Sequence, residues 1–234
     1  MKATIFNLII LDESGSMDCI RKETIMGCNE ILDTIKAAQK QHSATQEHFV
    51  SIYAFQDGET PSRYLIRDIP AEQVEHLNEK DYVPEGCTPL LDAVGTTVNA
   101  LGKMAGQNEN AIGSVTIITD GMENSSREYS HAQIAALVKK YKEKGWNFNF
   151  IGANIDSYAV SHSINIENSM DFEQSSAGTK DMFIKETSCR RQWLDRVNAN
   201  ICCMEDNQEF SEIMKSTSKN YFGKGKDQTD SSKK

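Results

Sequence analysis

No apolar stretch of this 234-residue chain approaches the roughly 20 residues that cross a bilayer, so a membrane-spanning helix is not expected. The N-terminal MKATIFNLIILDES has one lysine and a short apolar run like that of a signal peptide. It lacks a small-residue cleavage site, and cleavage would remove the first strand, so it is expected to stay. No C-x-x-C pair occurs among Cys19, Cys28, Cys87, Cys189, Cys202 and Cys203, and several fall where helical patterning places small hydrophobes. That usage fits a reducing cytoplasm, with the adjacent Cys202 and Cys203 read as two packed thiols near a helix end. Basic charge is also short. The formal net charge of −9 argues against nucleic acid or an anionic membrane as the main partner, and favours a cation or a basic protein surface. DESGSMD lacks the G-x-G-x-x-G turn that lets a backbone approach a pyrophosphate, which argues against a dinucleotide-dependent reductase. His42, His48, His76, His131 and His162 have no metal-ligand spacing and read as surface or helix-end residues, and no internal repeat is present.

What remains is ordinary globular material, 38% hydrophobic and 25% charged, enough for one domain and a short appendage. The boundaries expected are one domain over 1–204 and a C-terminal extension over 205–234, with little to bury beyond about residue 215. ATIFNLIIL (3–11) is nearly continuous in apolar residues, as a central parallel strand covered on both faces should be. Ile20, Thr24, Cys28, Ile31, Ile35 and Ala38 then recur at helical spacing. HFVSIYAFQ (48–56) is a second strand. RYLIRDIP (63–70) follows too closely for a crossover helix, so it is an antiparallel partner at the sheet edge. Thr88 reads as an N-cap with proline after it, opening a helix with Leu90, Val94, Val98 and Leu101 on its apolar stripe. GSVTIITD (113–120) is the fourth strand. Ser130 and Gln133 form a capping box. WNFNFIGA (146–153) alternates large apolar residues with asparagine, as a strand less deeply covered on one face would. A short helix from Asp156, a weak strand near 166–172 and a helix from about Thr179 to Ile201 follow. The series implies an α/β, Rossmann-like fold: a mainly parallel sheet with one antiparallel edge strand and helices on both faces.

Two strands end at aspartates, Asp12 and Asp120. In open α/β sheets, ligands bind at the carboxyl ends of the strands where strand order reverses. If the first and fourth strands are neighbours there, both carboxylates and the Ser14 and Ser16 hydroxyls share one crevice. EGCTPLLD brings Thr88 to the same rim. Five oxygen donors, three of them neutral hydroxyls, select a hard cation, Mg²⁺ or Mn²⁺, over zinc. If the hydroxyls occupy much of the first shell and the aspartates work partly through water, such a set leaves the cation incompletely neutralised and able to attract an outside carboxylate. Glu13 and Glu123 read as solvated loop carboxylates, and Gly15, Gly86 and Gly121 as residues permitting tight turns. Asn124-Ser125-Ser126 matches an N-glycosylation acceptor that a cytoplasmic chain would not use.

The D-x-S-x-S of Asp12, Ser14 and Ser16, the threonine Thr88 and the TDG containing Asp120 together resemble the metal-ion-dependent adhesion site of the von Willebrand factor type A family. The resemblance runs from the first strand to about residue 200, and without an export signal it is nearest to intracellular prokaryotic members. It implies a Rossmann-like sheet, a divalent cation on these five residues, and protein binding without catalysis. The partner would be a protein offering a carboxylate, its identity open, bound by a monomer or by part of a larger complex. Two other readings stand beside this one. A Mg²⁺-dependent phosphohydrolase would use Asp12 as nucleophile, but the second carboxylate it wants two residues on is Ser14. A scaffold would hold its ion only structurally.

Overall fold

The computed structural model describes residues 1–204 and 209–223. Its elements run β1 (Ala3–Asp12), α1 (Arg21–Gln41), β2 (Gln46–Phe55), β3 (Arg63–Pro70), α2 (Leu90–Ala105), β4 (Ala111–Thr119) and α3 (His131–Lys142). They continue with β5 (Asn147–Ala153), α4 (Ser157–Ser163), β6 (Asn168–Phe172), α5 (Ser176–Cys202) and α6 (Phe210–Thr217), and short 3₁₀ turns lie at Gly15–Ile20 and Ala71–Gln73. The sheet order is β3-β2-β1-β4-β5-β6, with β3 antiparallel to β2 and the other pairs parallel. The chain builds outward from β1 through β2 to β3, then returns across β1 to start β4. That reversal leaves a crevice between the ends of β1 and β4, where Leu11 lies opposite Ile118.

All ten residues of β1 are buried, so both faces of this strand meet helices. Leu8, Ile10, Val115 and Ile117 pack with Leu91, Val94 and Val98 of α2 and with Ile134 and Val138 of α3. Ile9, Leu11 and Ile118 pack with Cys28, Ile31 and Ile35 of α1 and with Met182 and Phe183 of α5. Each such side chain contributes about 1.5–3 kcal/mol on leaving water. The expected capping box is present, formed by Ser130 and Gln133 at the start of α3, and the Asp156 carboxylate accepts from the Ala159 N–H at the start of α4.

Several expectations need correction. The described residues 216–223 do not behave as a tail with little to bury, since Thr217 and Tyr221 are buried. Phe210, Met214 and Thr217 present one face of α6, and Phe210, Met214 and Tyr221 join the main core. Residues 224–234 lie outside the described residues. β5 is buried at all seven positions, because β6 lies outside it and its Asn149 reaches a polar layer beneath α5. In that layer the fully buried Arg190 bonds Glu186 at 2.6 Å, Thr116 at 2.9 Å and Asn7 at 3.3 Å. His48 belongs to the same layer and is not a surface residue. Nδ1 accepts from the Asn7 side-chain amide and Nε2 donates to the Gln46 side-chain oxygen Oε1, which fixes a neutral tautomer. Cys202 and Cys203 are exposed, so they are not packed thiols; all six cysteines are free.

Candidate functional site

The crevice is built from the last residue of β1 and the loops after β1, β3 and β4. Asp12 is fully buried, with both carboxylate oxygens held: Oδ1 accepts from the Ser14 N–H at 2.8 Å and Oδ2 from the Thr119 hydroxyl at 2.5 Å. Its carbonyl accepts from the Tyr82 hydroxyl at 2.5 Å, which pins the strand end to the loop after β3. The Ser14 and Ser16 hydroxyls lie 3.2 Å apart, and Ser16 donates to Asp120 Oδ1 at 2.7 Å. Four of the five expected residues are thus joined in one chain of hydrogen bonds across the switch point.

Thr88 is the fifth, and it arrives differently. It is not an N-cap: α2 opens at Leu90, and the Thr88 hydroxyl makes no capping bond. The cap belongs to Glu123, whose carboxylate accepts from the N–H groups of Leu91 (2.8 Å), Ser125 (2.9 Å) and Ser126 (2.7 Å). Asn124 then fixes Thr88, accepting its N–H at 2.8 Å and donating its own N–H to the Thr88 carbonyl at 3.3 Å. This holds the hydroxyl against Gly121, 3.2 Å from where a Cβ on that glycine would stand. Thr88 therefore sits beside Asp120 without a hydrogen bond to the other four.

Glu13 is no solvated carboxylate either. It points toward β3, fully buried, and takes both guanidinium nitrogens of Arg63 (2.6 and 3.1 Å), the Val83 N–H (2.6 Å) and the Gln56 amide (3.1 Å). The motif alternates: Asp12, Ser14 and Ser16 serve the crevice while Glu13 ties down the loop that leads to Thr88. Gly86 completes this loop with φ +68°, and a Cβ there would strike the Gly58 nitrogen at 2.3 Å. Gly15 meets no such demand. One residue went unread in the sequence. The Gln174 amide, in the loop between β6 and α5, donates to Asp120 Oδ2 and to the Ser16 carbonyl, while its oxygen accepts from Asn154. Nothing in the local pattern around Gln174 signals this, since only the position of β6 at the sheet edge brings it back.

The electrostatics are one-sided. Burial pushes the Asp12 carboxyl up to about 6 against the pull of Thr119 and Ser14, with the Asp120 charge adding to the rise. Burial also raises Asp120, opposed by the Ser16 hydrogen bond. Neither carboxylate has an ion-pair partner among the described residues. Nor do those residues contain a group of three or more His, Cys, Asp or Glu arranged to hold a metal, so a zinc-type or carboxylate-rich centre is not indicated. Two uncompensated buried carboxylates with three neutral hydroxyls beside them is a donor set that fits a hard divalent cation. On the rim next to Asp120, Met122 is 65% exposed.

No protein-family model matches the sequence, and comparison with curated proteins gives no match. Solved structures do match. The pilus adhesin SpaC from Lactobacillus rhamnosus GG aligns with 82% of this chain at 12% identity and a TM-score of 0.57. Proximal thread matrix protein 1 from the mussel byssus aligns with 80% at 13% identity and a TM-score of 0.53. The SpRpn10 VWA domain aligns with 80% at 10% identity and a TM-score of 0.51. The chain spans 31% of the adhesin, 49% of the thread protein and 95% of the SpRpn10 domain. At these identities the likeness concerns the fold alone: six mainly parallel strands with one antiparallel edge and helices on both sides, the fold of a von Willebrand factor type A domain.

Proposed function

We propose that the chain is a non-enzymatic, metal-dependent protein-interaction module. Asp12, Ser14, Ser16, Thr88 and Asp120 would hold Mg²⁺ or Mn²⁺, and an acidic residue of a protein partner would complete the site. The observation that carries this reading is the convergence of two buried, unpaired carboxylates with three hydroxyls at the switch point of the sheet. With neutral hydroxyls filling much of the shell of a bound divalent cation and the aspartates acting partly through water, the cation would stay incompletely neutralised, and an outside carboxylate would complete it. The residues of the chain do the rest. Thr119 and the Ser14 N–H orient Asp12, Glu13 and Asn124 fix the two loops, and the exposed Met122 offers apolar contact beside the charge. Adhesin and SpRpn10 domains of the same fold support protein binding as the class of activity. Among the described residues no nucleophile and base pair accompanies the carboxylates, which favours binding over turnover. The six free cysteines favour a reducing, cytoplasmic setting.

The test is affinity capture with Mg²⁺ and again with EDTA, using the wild-type chain and Asp12→Ala, alongside a screen with generic phosphatase and esterase substrates. Partners released by chelation and absent from the Asp12→Ala capture are expected, with no turnover. A partner set indifferent to both, or metal-dependent hydrolysis abolished by Asp12→Asn, would overturn the reading.

A further inference from the structure

A second recess lies at the far end of the sheet, where β5 and β6 begin and α3 and α6 end. Its volume is about 500 Å³, inside the roughly 300–1,000 Å³ of small-molecule pockets. Lys139 and Lys142 of α3, Lys215 of α6 and Lys219 just beyond it line the rim, against Glu143 and Glu167. Lys142 is committed to Glu167 and to the Asn165 carbonyl, both at 3.0 Å. Three ammonium groups thus face one carboxylate, with no ion pair among the described residues, on a chain whose net charge is −9. Lysines at helix C-termini also offset the macrodipole, so the rim alone decides nothing.

The interior decides more. Asn147 is fully buried and lines the recess. Its carbonyl oxygen is taken by the Asn168 amide at 3.3 Å, which turns its own amide nitrogen away, and that nitrogen has no partner among the described residues. The buried Ser218 hydroxyl beside it is likewise unpartnered, while Asn168 holds the Ser218 carbonyl at 3.0 Å and fixes the corner. An unmet buried donor is destabilising, and what it lacks is an acceptor. Trp146 and Phe148, each 3% exposed and with ring centroids 6.3 Å apart, add an apolar edge to the lining.

We propose that this recess binds a small organic anion. The oxyanion head is held by the rim lysines and the Asn147 amide, and a flat apolar body lies against Trp146 and Phe148. The site shares no residue with the crevice of Asp12 and Asp120, so it stands or falls apart from the metal reading. The experiment is a nuclear magnetic resonance titration of the isotope-labelled full chain with two probes, adenosine monophosphate and anilinonaphthalene sulfonate. Inorganic phosphate and adenosine serve as head-only and body-only controls. Saturable shifts of the Asn147 side-chain amide and the Trp146 indole N–H are expected, at least tenfold tighter for a probe than for either control. The surface double variant Lys215→Glu/Lys219→Glu should weaken this at least tenfold without lowering Tm, and Asp12→Ala should leave it unchanged. Failure of both probes to saturate by about 1 mM, adenosine binding as tightly as its monophosphate, or an unaffected double variant would overturn the proposal.

Discussion

At the scale of single residues, the five expected donors are not equivalent. Asp12 has both oxygens oriented by protein groups, whereas the Thr88 hydroxyl is held by its backbone alone, through Asn124. Thr88→Ala is therefore expected to weaken partner capture more than metal binding, by about five- to 150-fold for a desolvated contact of roughly 1–3 kcal/mol. Paired titrations with metal alone and then with metal and the captured partner check this, and equal losses would make Thr88 a purely structural ligand. Gln174 predicts the opposite sign. Its amide occupies Asp120 Oδ2, so Gln174→Ala should tighten Mn²⁺ binding several-fold, consistent with a net hydrogen bond to a charged group of about 1.5 kcal/mol. Weaker binding in that variant would show that Gln174 supports the site. The convergence of the aspartates, serines and threonine at one end of the sheet was legible because each lies at a strand end or loop whose direction the sequence reveals. Glu13 was misread because its partner Arg63 lies on β3, where only the folded pairing brings the two together.

At the scale of elements, β3 is more than a sheet edge. Arg63 neutralises the buried Glu13, and Glu13 in turn holds Val83 and the loop to Thr88. Arg63→Ala should cost about 3 kcal/mol, read as a lower midpoint in urea, because it leaves a buried carboxylate uncompensated. Metal affinity should fall with it, since the loop loses its anchor. Recovery of stability in the double variant Arg63→Ala/Glu13→Gln would confirm the cause, and a loss below 0.5 kcal/mol in the single variant would refute it. The strands and helices were readable from periodicity, including the antiparallel placement of 63–70 forced by its short connection. The start of α2 was misread by one residue, because Glu123 caps it from a different loop. The helix α6 was missed because eight residues with one apolar face look polar until the core that receives Phe210 and Met214 is present.

At the scale of the whole molecule, the buried polar layer under α5 sets the pH dependence. Burial pushes the His48 imidazole down to about 3, with the His42 and Arg190 charges adding to the fall. The unfolded chain therefore takes up a proton near 6.5 that the folded chain refuses. Stability from His48 is complete above that pH and is lost as pH falls from about 6.5 toward 3, by up to about 1.4 kcal/mol per unit. Asp12 acts in the reverse sense, since its raised carboxyl favours the folded state as pH falls through about 6. Urea melts of wild type and His48→Gln across this range separate the two, and the variant should lose most of the acid sensitivity. An unchanged slope would mean that His48 is not the group responsible. The central claim is that the crevice of this fold holds a divalent cation, and calorimetric titration of Mg²⁺ and Mn²⁺ into wild type and Asp12→Ala tests it most directly. One site per chain in the wild type and none in a folded Asp12→Ala is the result predicted; equal binding by both, or no binding by the wild type, would contradict it.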